Sequence, residues 1–484
     1  MHIKARNIPE RAINNVALKQ EPFSRVTPLL KTALLVGVAG GFALATVLTL
    51  ARAFALPLGP WWTATAQAHG HLQLYGWAGL FVLGVALHFL PRLRGAPLAA
   101  ARFIPLLLGL MIASLILRAI SQPVLTASSA LIWRIAFIGS GLLEVAAIIL
   151  VLWLLVQTAR RGPGAATRPA YWSVLPLLFG AFCSFGIAGI VNLINTVQAA
   201  QGTGLVLNNG DTLNVTLGLF GFLMPIALAM SARSLPMYAG LEGFPRQVLW
   251  PIAGSYFVAL LLMCIGTGSS VLPQFWLNGI GGLGMILMGA VILLFIGIFL
   301  RLMRARGRVP QSISRLSPSP EAMAHSYQRQ IKTEQTNYGP FVALVASSYL
   351  WAMLGGLLLL FDGAALLFTG TQPVAIDAIR HSFAIGFIAL LICGVAPRML
   401  PSFAGNNIVS PHLVTATLWL GNAAAALRVG AVLLAPLLVA PDGYNFAELI
   451  FGLSGPFGLA LAICLAINLW PVLRTQRAAP AVTS

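Results

Sequence analysis

Apolar residues in this chain come in long runs broken by short polar turns. A helix that crosses a bilayer needs about 20 mostly apolar residues. Twelve stretches meet that need: roughly 32–52, 69–91, 103–121, 131–157, 171–196, 212–233, 247–268, 279–300, 340–361, 379–400, 412–436 and 446–470. Polar residues inside these runs are few, which makes the exceptions informative. The segment Gln67–Gly95 is almost wholly apolar, yet it holds His69, His71 and His88, three of the chain's seven histidines.

Composition agrees with the pattern. The chain is 58% hydrophobic and 8% charged, against about 25% charged in an ordinary soluble domain. Lys and Arg outnumber Asp and Glu 29 to 11. In a membrane protein such a surplus sets topology and is no evidence for nucleic acid as a partner. Arg92, Arg94 and Arg102, then Arg160, Arg161 and Arg168, then Arg246, then 301–332 and finally Arg474 and Arg477 follow the even-numbered runs. The opposite turns, such as 198–211 and 362–378, carry almost no Lys or Arg. With Lys4, Arg6, Arg11, Lys19, Arg25 and Lys31 in the N-terminal tail, the positive-inside rule predicts both termini on the cytoplasmic side; the membrane expected is a prokaryotic inner (plasma) membrane. His69, His71 and His381 then lie near the outer face, and His88 and His412 near the inner one. The first 30 residues show no apolar region followed by a cleavage site, so no signal peptide is expected. Cys183, Cys264, Cys393 and Cys464 fall inside apolar runs, with neither disulfide nor zinc spacing.

The chain also repeats itself. A shift of 310 residues lays Ala68–Gly95 over Ala378–Gly405 without a gap, with ten identities in 28 positions; chance in so biased a composition gives roughly two or three. His71 falls on His381, and the same shift pairs Arg118 with Arg428. A shift of 165 lays 233–240 (RSLPMYAG) over 398–405 (RMLPSFAG). Runs 2, 6 and 10 thus end alike, in Leu-Pro-x-x-x-Gly. The fold expected is an all-α polytopic membrane protein of twelve helices in three pseudo-equivalent four-helix units. These are 31–160, 171–301 and 340–470, related by an axis along the membrane normal. Outside them lie a basic cytoplasmic tail (1–30), a cytoplasmic linker (302–339) and a C-terminal tail (471–484).

An ionisable side chain in hydrocarbon marks a functional site by default. His71 and His381 sit at equivalent places on two related helices. Neutral imidazole is a good ligand for haem iron, and two of them saturate it. Residues two apart on a helix point about 200° apart, so His69 and His71 cannot both face one small ligand. Gly76, Gly79, Gly84, Gly386 and Gly394 leave room for a flat ring, or else serve helix contacts. Arg118 and Arg428 are placed to pair with haem propionates, or to snorkel to the interface; Arg134 and Arg380 are further candidates. Glu144 is a proton-handling group or a buried neutral acid. Asn192, Asn195 and Asn422 read as interhelical hydrogen-bond donors, and Trp61, Trp62 and Trp470 as interfacial anchors. His88 and His412 end helices, and His2 and His325 lie in solvated segments.

These features resemble subunit I of the haem–copper oxidases, whose low-spin haem lies between helices 2 and 10. His71 (or His69) and His381 occupy the corresponding places. The closer resemblance is to the NnrS family of membrane proteins, linked to the nitric oxide response and containing haem and copper. Its His-x-His motif stands here as His69-Gly70-His71 followed by Tyr75-Gly76, and its later motif as 381–386 (HSFAIG) followed by Arg398. The resemblance implies His71 and His381 as haem-iron ligands, with His69 or the methionines left for a second metal such as copper. An oxidase needs histidine-bound copper from helices 6 and 7, whereas Thr216 stands in register with His381 and run 7 has no histidine. Leu72 replaces the acidic residue expected beside His-x-His.

The expected function is therefore haem binding in the bilayer, in the response to nitric oxide, without a dioxygen-reducing centre and without a claim of turnover. The alternatives are an electron-transfer subunit with a redox partner and a transporter on a related fold. Against the last, the apolar runs carry no midplane charge except Glu144.

Overall fold

The computed structural model describes residues 21–238, 241–268, 272–304, 319, 329, 332–437 and 446–474. The tail residues Lys4, Arg6, Arg11, Lys19 and Arg477, His2, His325 and most of the segment 302–339 lie outside the described residues.

All twelve expected spans are present as helices: α1 (Thr27–Ala53), α2 (Pro60–Arg94), α3 (Ala101–Leu125), α4 (Leu131–Arg161), α5 (Pro169–Gln201), α6 (Asn208–Tyr238), α7 (Arg246–Thr267), α8 (Gln274–Met303), α9 (Phe341–Thr369), α10 (Ile376–Ala404), α11 (Pro411–Leu434) and α12 (Phe446–Leu469). Most run several residues past the apolar stretch that announces them, because polar ends prolong a helix once neighbours hold it.

The helices sort into two classes. In α2, α6 and α10 the most apolar stretch is 89%, 83% and 78% buried inside the protein; in the other nine it is 33–50%. Those nine make a closed ring. α1 packs on α3, α3 on α4, α4 on α5, α5 on α7, α7 on α8, α8 on α9, α9 on α11, and α12 lies between α11 and α1. α6 touches α2 on one side and α10 on the other inside the ring. The ring turns Leu35, Ile116, Ile149, Phe179, Leu261 and Leu350 outward, a lipid-facing coat for the bilayer that such helices require.

The three inner helices share a local irregularity. Each passes through a π-helical stretch, Leu72–Gly79 in α2, Leu217–Leu223 in α6 and Ser382–Ala389 in α10. Each stretch starts one residue after the aligned positions His71, Thr216 and His381. Such bulges insert an extra residue and gather at functional sites. The shared ending has a structural reason too. Gly95 and Gly405 take left-handed φ of +75° and +70°, which a residue with a side chain adopts at a cost of roughly 1–2 kcal/mol. Gly405 N–H there donates to Pro401 O at 2.9 Å, and Ala96 N–H to Pro91 O at 3.0 Å.

Part of the expected linker is ordered against this end. Residues 332–338 are helical. Glu334 accepts two hydrogen bonds from Arg398 of α10, at 3.0 and 2.8 Å. The Arg398 guanidinium lies 5.2 Å from the Tyr238 ring and 5.3 Å from that of Tyr338.

Candidate functional site

A cavity of about 370 Å³ opens between α2 and α10 near the ends where those helices begin. Such a volume falls in the range of small-ligand sites. α2 gives it His69, Gly70, His71 and Trp77; α10 gives Asp377, Arg380, His381 and Ile385. α1, α3, α6, α11 and α12 complete the wall with Phe42, Arg118, Asp211, Arg428 and Gly455 among others. One end of the cavity is therefore charged and the other apolar.

The histidines are held in different ways. The His69 ring places Nδ1 2.8 Å from Gly41 O of α1. His381 places Nδ1 2.9 Å from Asp377 O, one turn back on its own helix, and 3.1 Å from Asp377 Oδ1. A carbonyl acceptor on Nδ1 fixes the tautomer with the proton there, leaving the Nε2 lone pair free to coordinate a metal. Both rings line the same cavity. His71 also lines the wall, but its Nε2 sits 2.7 Å from Glu144 Oε2 of α4. Both of those side chains are almost fully buried. Of the two histidines of the motif, His69 has its anchored Nδ1 turned to α1, whereas His71 sets Nε2 against an acid and has a buried Nδ1 without a hydrogen-bond partner among the described residues.

Glu144 opens a buried polar chain. Asn192 Nδ2 donates to Glu144 Oε2 at 2.9 Å, and Arg118 Nη1 donates to Asn192 Oδ1 at 2.6 Å. Arg118 Nε donates to Gln122 Oε1 at 2.7 Å, and Gln122 Nε2 to Gln67 Oε1 at 2.8 Å. Gln67 in turn bonds both backbone groups of Val206. Arg118 is 3% exposed, so it does not snorkel; neutral amide oxygens hold it against the cavity. Asn195 and Asn422 do link helices, to Gly210 O and to Ser347 Oγ.

The arginines of the charged end are only partly satisfied. Arg428 Nη2 donates to Asp377 Oδ1 at 2.8 Å, and its guanidinium lies 4.1 Å from the Phe451 ring. Among the described residues, buried Arg380 Nη2, Arg428 Nε and Arg134 Nε have no hydrogen-bond partner. Arg134 does not line the cavity. His88 lies outside it, edge-on to Phe23 and 3.0 Å from Arg92 Nη1 through Nδ1. His412 is exposed beyond the far end.

Of the two roles open to the glycines, the structure favours helix contacts. A Cβ on Gly76 would meet Val36 at 2.6 Å, on Gly84 Leu30 at 2.8 Å, on Gly386 Trp351 at 2.6 Å and on Gly394 Leu344 at 3.0 Å. A Cβ on Gly79 would meet Leu74 O at 2.7 Å. These glycines let helix backbones and side chains close up, and none lines the cavity. Gly70 does line it, and a Cβ there meets nothing within 4 Å. Among the described residues no group of three or more His, Cys, Asp or Glu is arranged to hold a bare metal ion. The four cysteines are free thiols.

Asp377 escaped the sequence analysis. Its signal was the i, i+4 spacing to His381 within one helical turn.

The backbone can be compared with solved structures. A haem–copper terminal oxidase dimer, determined by electron cryo-microscopy, superposes with a TM-score of 0.66, covering 93% of this chain and 85% of that one at 13% identity. The chain has the fold of a haem–copper terminal oxidase. At that identity the likeness extends to the fold alone. No protein-family model and no curated protein sequence matches the chain.

Proposed function

We propose that the chain is a membrane haem protein whose iron is held between His69 of α2 and His381 of α10. The observation that carries this reading is the pair of Nδ1-anchored imidazoles on one cavity, each with Nε2 free. The cavity suits the group in two further respects. Its apolar wall matches a porphyrin face, and the unpartnered Arg380 Nη2 and Arg428 Nε match carboxylate side arms. Bound haem supplies one-electron redox chemistry. The protein's part is to fix the two imidazoles, exclude water from the ring and neutralise the side arms.

With His69 and His381 both holding it, the iron would be suited to carrying electrons rather than to holding a gas. Past His381, α10 is packed against its neighbours by aromatic rings. Phe383, two residues past His381, packs at 5.1 Å on Phe220 of α6, and Phe387 packs at 5.4 Å on Tyr349 of α9. The motifs 69–76 and 381–386 resemble those of NnrS proteins, so we assign the electron-carrying haem to the nitric oxide response.

Optical spectroscopy of the purified chain from haem-replete cells is the test. A low-spin haem spectrum is expected in the unsubstituted protein and in His71→Ala, and its loss in His69→Ala and in His381→Ala. A folded, colourless protein would overturn the reading and favour transport. Loss of haem in His71→Ala, with retention in His69→Ala, would reassign the ligand. Reduction by nitric oxide compared with reduction by a quinol or a cytochrome separates a nitric oxide role from a respiratory one.

A further inference from the structure

The two imidazoles are anchored by unlike acceptors. His69 has only the neutral carbonyl of Gly41 at Nδ1, 2.8 Å away. His381 has the Asp377 carbonyl at 2.9 Å and the Asp377 carboxylate at 3.1 Å. That carboxylate is itself positioned. Arg428 Nη2 holds Oδ1 at 2.8 Å, while Oδ2 is buried without a partner. The geometry points to Asp377 as a positioning residue that gives His381 anionic character, with Arg428 setting how much of the charge reaches the ring. This rests on the haem reading above.

The physical chain is short. A carboxylate 3.1 Å from Nδ1, beside the carbonyl that accepts its proton, makes the imidazole a stronger donor at Nε2 and stabilises the more positive state of a bound metal. A guanidinium on the same carboxylate oxygen draws charge away from the ring. Low dielectric at a buried cavity strengthens both effects. Arg380 and Asp211 also face this end, but neither has a bond to the His381 ring. Among the described residues no carboxylate contacts the His69 ring, whose Nδ1 meets a neutral carbonyl alone. The site is therefore electronically lopsided, with a strong donor from α10 and an ordinary one from α2.

The experiment is a potentiometric titration of the purified full chain, paired with the near-infrared charge-transfer band of the ferric form. Asp377→Asn keeps the shape and removes the charge. Its midpoint potential is expected to rise, with about a tenfold change in the ferric-to-ferrous ratio at fixed potential, or about 59 mV for one electron. The charge-transfer band is expected to move with it. Arg428→Gln is expected to lower the potential, and to do so less when Asp377→Asn is already present. Haem bound, with potential and band unchanged in Asp377→Asn, overturns the inference and leaves the haem reading standing. If Asp377→Asn fails to fold, Arg428→Gln decides: an unchanged or raised potential overturns the inference. A chain with no haem at all overturns the haem reading instead.

Discussion

A single carboxyl decides what His71 does. Glu144 and Arg118 are both almost fully buried and are joined, among the described residues, through Asn192. Removing one member of a buried polar and ionic network typically costs about 3–5 kcal/mol, whereas replacing two members together can be close to neutral. Arg118→Met is therefore expected to lower thermal stability in detergent more than Arg118→Met with Glu144→Gln does. A double variant that melts lower than the single one would show that the two charges are not coupled through Asn192. At Gly70 the opposite logic holds, because a side chain there meets no neighbour. Gly70→Leu is expected to fill cavity space and to reduce haem content, read as haem absorbance per protein, with little change in melting. This scale also shows what sequence alone could deliver. The register of His71, Thr216 and His381 was legible, and the three π-helical stretches that follow those positions respect it. The choice between His69 and His71 was not. It depends on Gly41 O from α1 and Glu144 from α4, acceptors that come from elsewhere in the chain and leave no mark in local spacing. Arg118 was legible as a cavity-side cation but not as one buried among amides, since Gln122, Asn192 and Gln67 meet only in three dimensions.

At the scale of elements, small residues fix how closely helices approach. α8 and α9 cross with a Cβ on Gly282 facing Gly363 O at 2.7 Å, and a Cβ on Gly363 facing Gly282 O at 2.8 Å. Without a hydrophobic drive between helices in lipid, such close backbone packing is what holds a pair together. Gly363→Leu is expected to separate α8 from α9 and to lower the melting temperature, while the haem spectrum stays as it was, because neither helix lines the cavity. A changed spectrum would mean that the far side of the ring communicates with the site. The twelve spans were legible from apolar runs because a bilayer demands them. Their division into three inner and nine outer helices was not, because α2, α6 and α10 are no more apolar than the rest. Their shared Leu-Pro-x-x-x-Gly ending and the register of His71, Thr216 and His381 marked them as alike, but not as inner.

Across the whole molecule, the charge pattern still predicts an orientation that can be measured. Ser129 lies exposed on the α3–α4 turn and Ala166 on the α4–α5 turn. In intact cells a membrane-impermeant thiol reagent is expected to label Ser129→Cys directly and Ala166→Cys only after permeabilisation; the reverse pattern would invert the topology. The inner helices carry a second message at this scale. Each residue of an α-helix advances the side chains by about 100°, so an extra residue in Leu72–Gly79 sets the angle between the His69 end of α2 and the anchored end at Gly95. Deleting one codon within 72–79 would leave the composition and hydropathy of α2 nearly untouched and yet swing every upstream side chain off target. The aim of the site is thus stored as a tally of residues rather than in their identities, and an insertion or deletion there is a harsher lesion than most replacements.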